Sequence, residues 1–456
     1  MLRVSSTMSP YSMLLPFHHV VFPYSMLCFL LHVVFLHTYC FPSTMPHHLQ
    51  HVTYSSSCPV PFYMSCHLHH IMSCHLHHFM SRHVTYTMSH TLHHVMSPFM
   101  LRQELISELD SKDPHLLPLQ QLNSTLRETL SLWFSVGFLN LERVTWRSPC
   151  EMLQKISEYE AVHPVRNWTD LKRRVGPYRR CFVYTHSSMP DEPLVVLHTA
   201  LSDEIAGSMS GIVSAASRMS VDLTAKSDVV VNSEEENPSL VKAAIFYSIS
   251  STQKGLQGIE LGNYLIKRVV RELQAEFPLV NQFSTLSPIP TFRLYLVDRL
   301  KAAERGEMEL LTSNELDQLR LFLSPDNLWS ELRKVLHTNS WVGEVGLMSA
   351  LEGPLMRLCA RYLYLEKRRG YTLDSVANFH LRNGAMMWRL NWRADLTPRG
   401  LGNSCGIMVN YRYFLDQLES NSRRYQEEQY VTVSEQVLRL AAASIGEQAE
   451  KVTSKL

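Results

Sequence analysis

Three glycines punctuate the stretch Gln253-Lys254-Gly255-Leu256-Gln257-Gly258-Ile259-Glu260-Leu261-Gly262. Glycine lets backbone amides approach an anion, and a helix starting behind such a loop adds free N–H groups and a partial positive charge. The chemistry this serves is the binding of a phosphate or pyrophosphate. No Gly-Lys-Ser/Thr closes the loop, so it is not a Walker A loop, and its GxxGxxxG spacing is not the dinucleotide fingerprint. The same glycines also suit tight helix–strand packing, and both readings stand. A second group is basic: Lys172, Arg173, Arg174, Arg179 and Arg180 surround Gly176-Pro177. Arginine and lysine are natural phosphate partners, while the plainer reading is a solvated basic face with salt bridges. The third is His380, among Asn378, Phe379, Arg382 and Asn383. A histidine beside apolar residues is more often structural than chemical.

The segment 242–292 must position the loop. Ala243-Ala244-Ile245-Phe246-Tyr247-Ser248-Ile249 is β-branched and aromatic, and reads as a buried strand. After the loop, Leu261, Leu265, Val269 and Leu273 recur every four residues, with Lys267, Arg268, Arg271 and Glu272 on other faces. That spacing predicts an amphipathic helix. Phe277-Pro278 ends it, since proline disfavours a helical residue before it. A short apolar stretch to Leu286 reads as the next strand, and the prolines of Ser287-Pro288-Ile289-Pro290 rule out regular structure.

Elsewhere, Leu101, Leu105 and Leu109 share a helix face, as do Leu126, Leu130 and Phe134. Leu194 to Leu201 reads as a strand. Residues 217–240 read as a mobile surface insertion. Residues 296–340 and Pro354 to Lys367 read as helical. Met386 to Trp392 reads as a strand, and Gly406 to Phe414 as a further segment near the site.

The loop and helix resemble the coenzyme A pyrophosphate loop of the GNAT acyltransferase fold. More specifically, the chain resembles the malonyl-CoA decarboxylase family. The matching words are WFSVGFLNLERVTWRSPCE (133–151), AVHPVRNWTDLKRRVGPYRRC (161–181), AAIFYSIS (243–250), GLQGIELG (255–262), LSPIP (286–290), VANFHLRNGA (376–385) and NYRYF (410–414). The resemblance runs from about Glu104 to Leu456. It implies a mixed α/β, GNAT-like catalytic domain that converts malonyl-CoA to acetyl-CoA and carbon dioxide.

The resemblance also implies roles. Ser287 hydrogen-bonds the malonyl group and takes part in proton movement, and His380 donates the proton to the carbanion. Histidine suits that role because its ordinary pKa is about 6.5. Glu260 and Tyr413 orient His380 or the substrate, and Ser248 is a further candidate at the strand end. The backbone amides of Gln257, Gly258, Ile259, Glu260, Leu261, Gly262 and Asn263 hold the pyrophosphate. The thioester is itself the electron sink, so neither cofactor nor metal is expected. A homo-oligomer is expected from the family. In the family a cysteine in the SPC word, here Cys150, is linked to subunit cross-linking. The usual partner region, Thr185-His186-Ser187-Ser188, carries no cysteine, so no family-type disulfide is expected.

Composition bounds the rest. The chain has 456 residues and a net charge of +1, which argues against a dedicated nucleic-acid binder. Its average hides a break: no Asp or Glu precedes Glu104, and most of the 23 histidines lie in the first hundred residues. Met64, Met72, Met80, Met88 and Met96 recur every eight residues, a period outside the common solenoid lengths. Metal binding at Cys66, His67, His69 and His70, membrane insertion of Met13 to Phe35, and disorder or a gene-model artefact compete there. Dispersed Cys150, Cys181, Cys359 and Cys405 read as reduced and intracellular.

The expected organisation is a low-complexity leader (1–99), a helical remnant (100–141), a catalytic domain (142–446) and a tail (447–456). The tail's Ser454-Lys455-Leu456 is an address read by the peroxisomal import receptor, with mitochondrial and cytosolic shares left open. Three other functions compete: a GNAT-type acyltransferase sharing the loop, a metal-binding or scaffold protein run by the His-rich tract, and a catalytically dead product of a faulty gene model.

Overall fold

The computed structural model describes residues 90–109, 116–224, 236–259, 261 and 265–443. The expectations for the eight-residue repeat from Met64 to Met88, for Met13 to Phe35, for Cys66, His67, His69 and His70, and for Ser454-Lys455-Leu456 fall outside these residues, while Met96, the last of the repeat, lies in the first helix. The architecture is mixed α/β. Two helices lead, α1 (His90–Glu108) and α2 (Leu117–Trp133). The first begins ten residues before the expected boundary at Met100. Next come β1 (Leu139–Val144), α3 (Cys150–Glu158), α4 (Trp168–Arg174), β2 (Arg179–His186), β3 (Val195–Ser202) and α5 (Met209–Thr224).

The central unit is β4 (Ala243–Ser251), α6 (Leu265–Glu276) and β5 (Gln282–Thr285). Four helices follow: α7 (Phe292–Glu304), α8 (Ser313–Leu319), α9 (Leu328–Thr338) and α10 (Val345–Ala360). After the two-residue strands β6 (Lys367–Arg368) and β7 (Tyr371–Thr372), the chain closes with α11 (Ser375–Arg382), β8 (Met386–Asn391), α12 (Pro398–Ser404), β9 (Met408–Tyr413), α13 (Leu418–Glu428) and α14 (Glu435–Ala443).

Seven strands form one sheet in the order β1-β2-β3-β4-β5-β9-β8. Only β4 and β5 pair in parallel. Parallel neighbours cannot be joined by a hairpin, so the glycine loop and α6 make the crossover. The three α6 positions expected from the four-residue spacing, Leu265, Val269 and Leu273, are all at most 1% exposed. Each such burial contributes about 1.5–3 kcal/mol. They pack with Phe246 and Phe283 of the sheet in the main core, which extends through α7 to α10. A separate cluster joins Met152, Leu153, Ile156, Leu171 and Val175 to Cys181, Val183 and Val196. The strands β2 and β3 are therefore covered on both sides and buried throughout.

The register of β3 on β4 slips at one step. His198 faces Ser248, but Thr199 faces Phe246, which leaves Tyr247 as the extra residue of a bulge. A bulge bends its strand and re-aims its side chains. The expected mobile insertion at 217–240 is corrected at both ends. Its start is helical, within α5, and Glu236 near its end is bound by Arg180 and by the backbone N–H of Tyr178.

Candidate active site

Ser287 leaves β5 where Pro288 and Pro290 forbid further ladder bonds. Its own backbone is still held, with N–H to Val409 O at 2.8 Å and O to Val409 N–H at 2.9 Å. This bridge sets the serine beside β9. On β9 the alternation of a strand puts Tyr411 and Tyr413 on one face. The helix α11 starts at Asp374, whose carboxylate caps the N–H of Ala377 at 2.8 Å, and carries His380 one turn and a half later.

These elements converge. The Nε2 of His380 lies 3.0 Å from Ser287 Oγ, and its Nδ1 lies 2.8 Å from the Tyr413 hydroxyl. The Tyr411 ring stacks on the imidazole, 4.6 Å between centroids and 25° between planes. Ser287 Oγ also meets Thr285 Oγ1 at 2.9 Å, and that oxygen accepts the N–H of Tyr411 at 3.1 Å. Ser287, His380 and Tyr413 are each at most 5% exposed.

Burial pushes the His380 imidazole down to about 3 and holds the Tyr413 phenol well above its ordinary value. Both groups are therefore neutral. In a nucleophilic serine triad a carboxylate stabilises the imidazolium, whereas here the third member is an uncharged phenol. The arrangement suits a hydrogen-bonded proton path better than an alkoxide attack.

The other expected residues lie elsewhere. Ser248 sits on the far side of the bulge, and its hydroxyl donates to Glu160 at 2.8 Å, so it does not join His380. Glu260, Gly262 and Asn263 lie outside the described residues. In the loop, the N–H of Gln257 is spent on Lys254 O, that of Ile259 on Leu256 O and that of Leu261 on Ile259 O. Leu261 is also core. Among the described loop glycines Gly258 is the open one, with a φ of +76° and nothing within 4 Å of an added Cβ.

Gly255 serves packing instead, since an added Cβ would come within 2.5 Å of the Phe99 ring. The two readings of the glycines thus divide between two positions. Two members of the site were missed: Thr285 and Tyr411. The signal for both was period two along a strand, back from Ser287 and from Tyr413.

The basic cluster is largely internal. Arg180 is 2% exposed and pairs with Glu236 at 2.6 Å and Glu276 at 2.7 Å. Arg174 pairs with Asp170 at 2.8 Å, and Arg179 donates to the carbonyls of Tyr178 and Ile212. Lys172 and Arg173 remain exposed. Among the described residues Cys150 is exposed, and Cys181, Cys359 and Cys405 are buried thiols. No group of three or more His, Cys, Asp or Glu among them is placed to hold a metal, and no helix among them is long and apolar enough to cross a membrane.

Residues 137–452 match the family model of the malonyl-CoA decarboxylase C-terminal domain. The mitochondrial malonyl-CoA decarboxylase of Mus musculus is 53% identical over 331 residues, covering 72% of this chain and 64% of that protein. The mitochondrial enzyme of Anser anser anser is 51% identical over 343 residues, covering 74% and 64%. This chain thus spans 64% of the length of these curated relatives. The crystal structure of malonyl-CoA decarboxylase from Rhodopseudomonas palustris superposes with a TM-score of 0.61 at 31% identity, covering 75% of each chain. That from Agrobacterium vitis gives 0.60 at 31%, again over 75% of each.

Proposed function

The chain belongs to the malonyl-CoA decarboxylase family, and from that premise we propose that it converts malonyl-CoA to acetyl-CoA and carbon dioxide. The observation that carries the proposal is the buried path Thr285–Ser287–His380–Tyr413. The bond between C2 and the free carboxylate breaks, and its electron pair flows into the thioester carbonyl to form an enolate. Carbon dioxide leaves, and C2 takes a proton to give acetyl-CoA. The thioester accepts the electrons, so the reaction calls on neither a metal nor an organic cofactor.

The geometry supports a proton path. Ser287 Oγ donates to Thr285 Oγ1, so the neutral ring presents its Nε2–H to Ser287 Oγ and its Nδ1 accepts the Tyr413 hydroxyl. The malonyl carboxylate brings negative charge beside the ring, which favours the imidazolium. With substrate bound, His380 takes up a proton and passes it through Ser287 Oγ to C2 as the enolate forms. Water is kept from the carbanion by the burial of all three groups.

The crossover between β4 and β5 is the coenzyme A cradle of this reading, as in the GNAT fold. Gly258 offers its N–H, and Glu260, Gly262 and Asn263 complete the loop. Assembly into a homo-oligomer and receptor-led import into peroxisomes through Ser454-Lys455-Leu456 belong to the same reading. Light scattering and imaging of an N-terminally tagged chain with and without those three residues test them.

The activity is tested by incubating the full chain with malonyl-CoA and no acceptor. Stoichiometric acetyl-CoA and carbon dioxide are expected. A folded chain that forms no acetyl-CoA, yet releases free coenzyme A and a malonylated amine when an amine acceptor is added, would overturn the proposal.

A further inference from the structure

The hairpin α1–α2 touches the glycine loop through one buried cation. Arg102 is 3% exposed. Its Nη1 donates to Gly255 O and its Nη2 to Gln257 O, each at 2.5 Å, and its Nε donates to Asn123 Oδ1 on α2 at 3.2 Å. All three acceptors are neutral, and Arg102 forms no ion pair among the described residues. A buried guanidinium facing only carbonyls is costly. Burial lowers its pKa, and the nearby Arg127 adds to this. Phe99, one turn before, presses its ring on Gly255, where only a glycine fits.

The consequence lies in the next peptide. A trans peptide points its C=O and N–H in opposite directions. Because the Gln257 carbonyl turns toward Arg102, the N–H of Gly258 turns away from the hairpin. That N–H makes no hydrogen bond among the described residues, and the space beside Gly258 is open. Arg102 therefore aims a free donor outward and places a positive charge behind it.

We propose that the α1–α2 hairpin is part of the binding site for the pyrophosphate arm of the thioester, with Arg102 as the positioning residue that holds the glycine loop in its anion-accepting form. This rests on the reading that the loop receives the pyrophosphate of coenzyme A. The bound anion supplies the negative charge that the buried Arg102 lacks.

The test compares malonyl-CoA with malonyl-pantetheine, which lacks the pyrophosphate, on the full chain. In Arg102→Ala the KM for malonyl-CoA should rise at least tenfold while kcat stays within threefold, and the KM for malonyl-pantetheine should not change. Arg102→Lys, able to reach one carbonyl, should recover part of the loss. Asn123→Ala, which only loosens the guanidinium, should give about a threefold rise with the same selectivity, and decides the matter if Arg102→Ala does not fold. Equal losses on both thioesters, or no loss on either, would overturn the inference. If the unmutated chain turns over neither thioester, the decarboxylase reading fails, and calorimetry with coenzyme A then judges Arg102 alone. Affinity at least tenfold weaker in Arg102→Ala supports its role; an unchanged affinity refutes it.

Discussion

Ser287 Oγ stands 3.0 Å from His380 Nε2, although 93 residues separate the two. The contact joins the end of β5 to the last turn of α11, and both groups are buried. A hydroxyl and an imidazole at this distance share a hydrogen, and proton transfer along the pair needs no rearrangement.

Removing either partner should break the path. Ser287→Ala and His380→Gln are each expected to lower kcat by about 10²–10⁴, the usual range for a positioned acid or base. Thermal melting should show both variants folded. Retention of more than a tenth of the turnover by either one, measured as acetyl-CoA formed, would refute its place in the reaction.

The pH profile carries a separate signature. In the free chain the His380 ring is neutral down to about pH 3. The profile of kcat/KM reports ionisations of the free enzyme. It should therefore show no inflection near pH 6.5 attributable to this residue. An inflection there that disappears in His380→Gln would show that the imidazole titrates as an exposed histidine does.

In the proposed reaction Tyr413 and Thr285 act through their neighbours. Tyr413→Phe deletes the hydroxyl that meets His380 Nδ1 at 2.8 Å, leaving tautomer and ring orientation unset. A loss of about 10- to 100-fold in kcat with little change in KM is expected, in keeping with removal of an orienting partner. Thr285→Val keeps the shape but deletes the hydroxyl beside Ser287, and should cost less than Tyr413→Phe. Steady-state kinetics at saturating malonyl-CoA decide both; a dominant rise in KM would contradict the assignment.

Acid stability should depend on His198. This ring is fully buried, and neither nitrogen makes a hydrogen bond among the described residues, although Nε2 comes within 3.4 Å of Glu160. Burial is the main cause that lowers its pKa to about 4, against about 6.5 in the unfolded chain. Below pH 6.5 the unfolded chain binds the extra proton, so stability present above that pH is lost as the pH falls toward 4. The loss amounts to about 3 kcal/mol at full extent. His198→Phe, which retains the stacking on Tyr247, should flatten this part of the profile. Urea unfolding at pH 7 and 4.5 measures it, and an unchanged slope would exclude His198 as the source.

Much of this was legible in local patterns. The four-residue spacing of Leu265, Val269 and Leu273 announced α6, and the β-branched run from Ala243 announced β4, because periodicity reports which face an element buries. The words around Ser287 and His380 stood out through their resemblance to the malonyl-CoA decarboxylase family. Tertiary structure alone decided which of those words meet. Sheet order places β9 against β5, and that pairing brings Tyr413 and Val409 to Ser287. A one-residue bulge at Tyr247 turned Ser248 toward Glu160. Gly255 proved to be a seat for Phe99, and Arg180 a buried partner of two glutamates. Each of these outcomes rests on contacts between residues far apart in the chain, and no local spacing encodes a partner that distant.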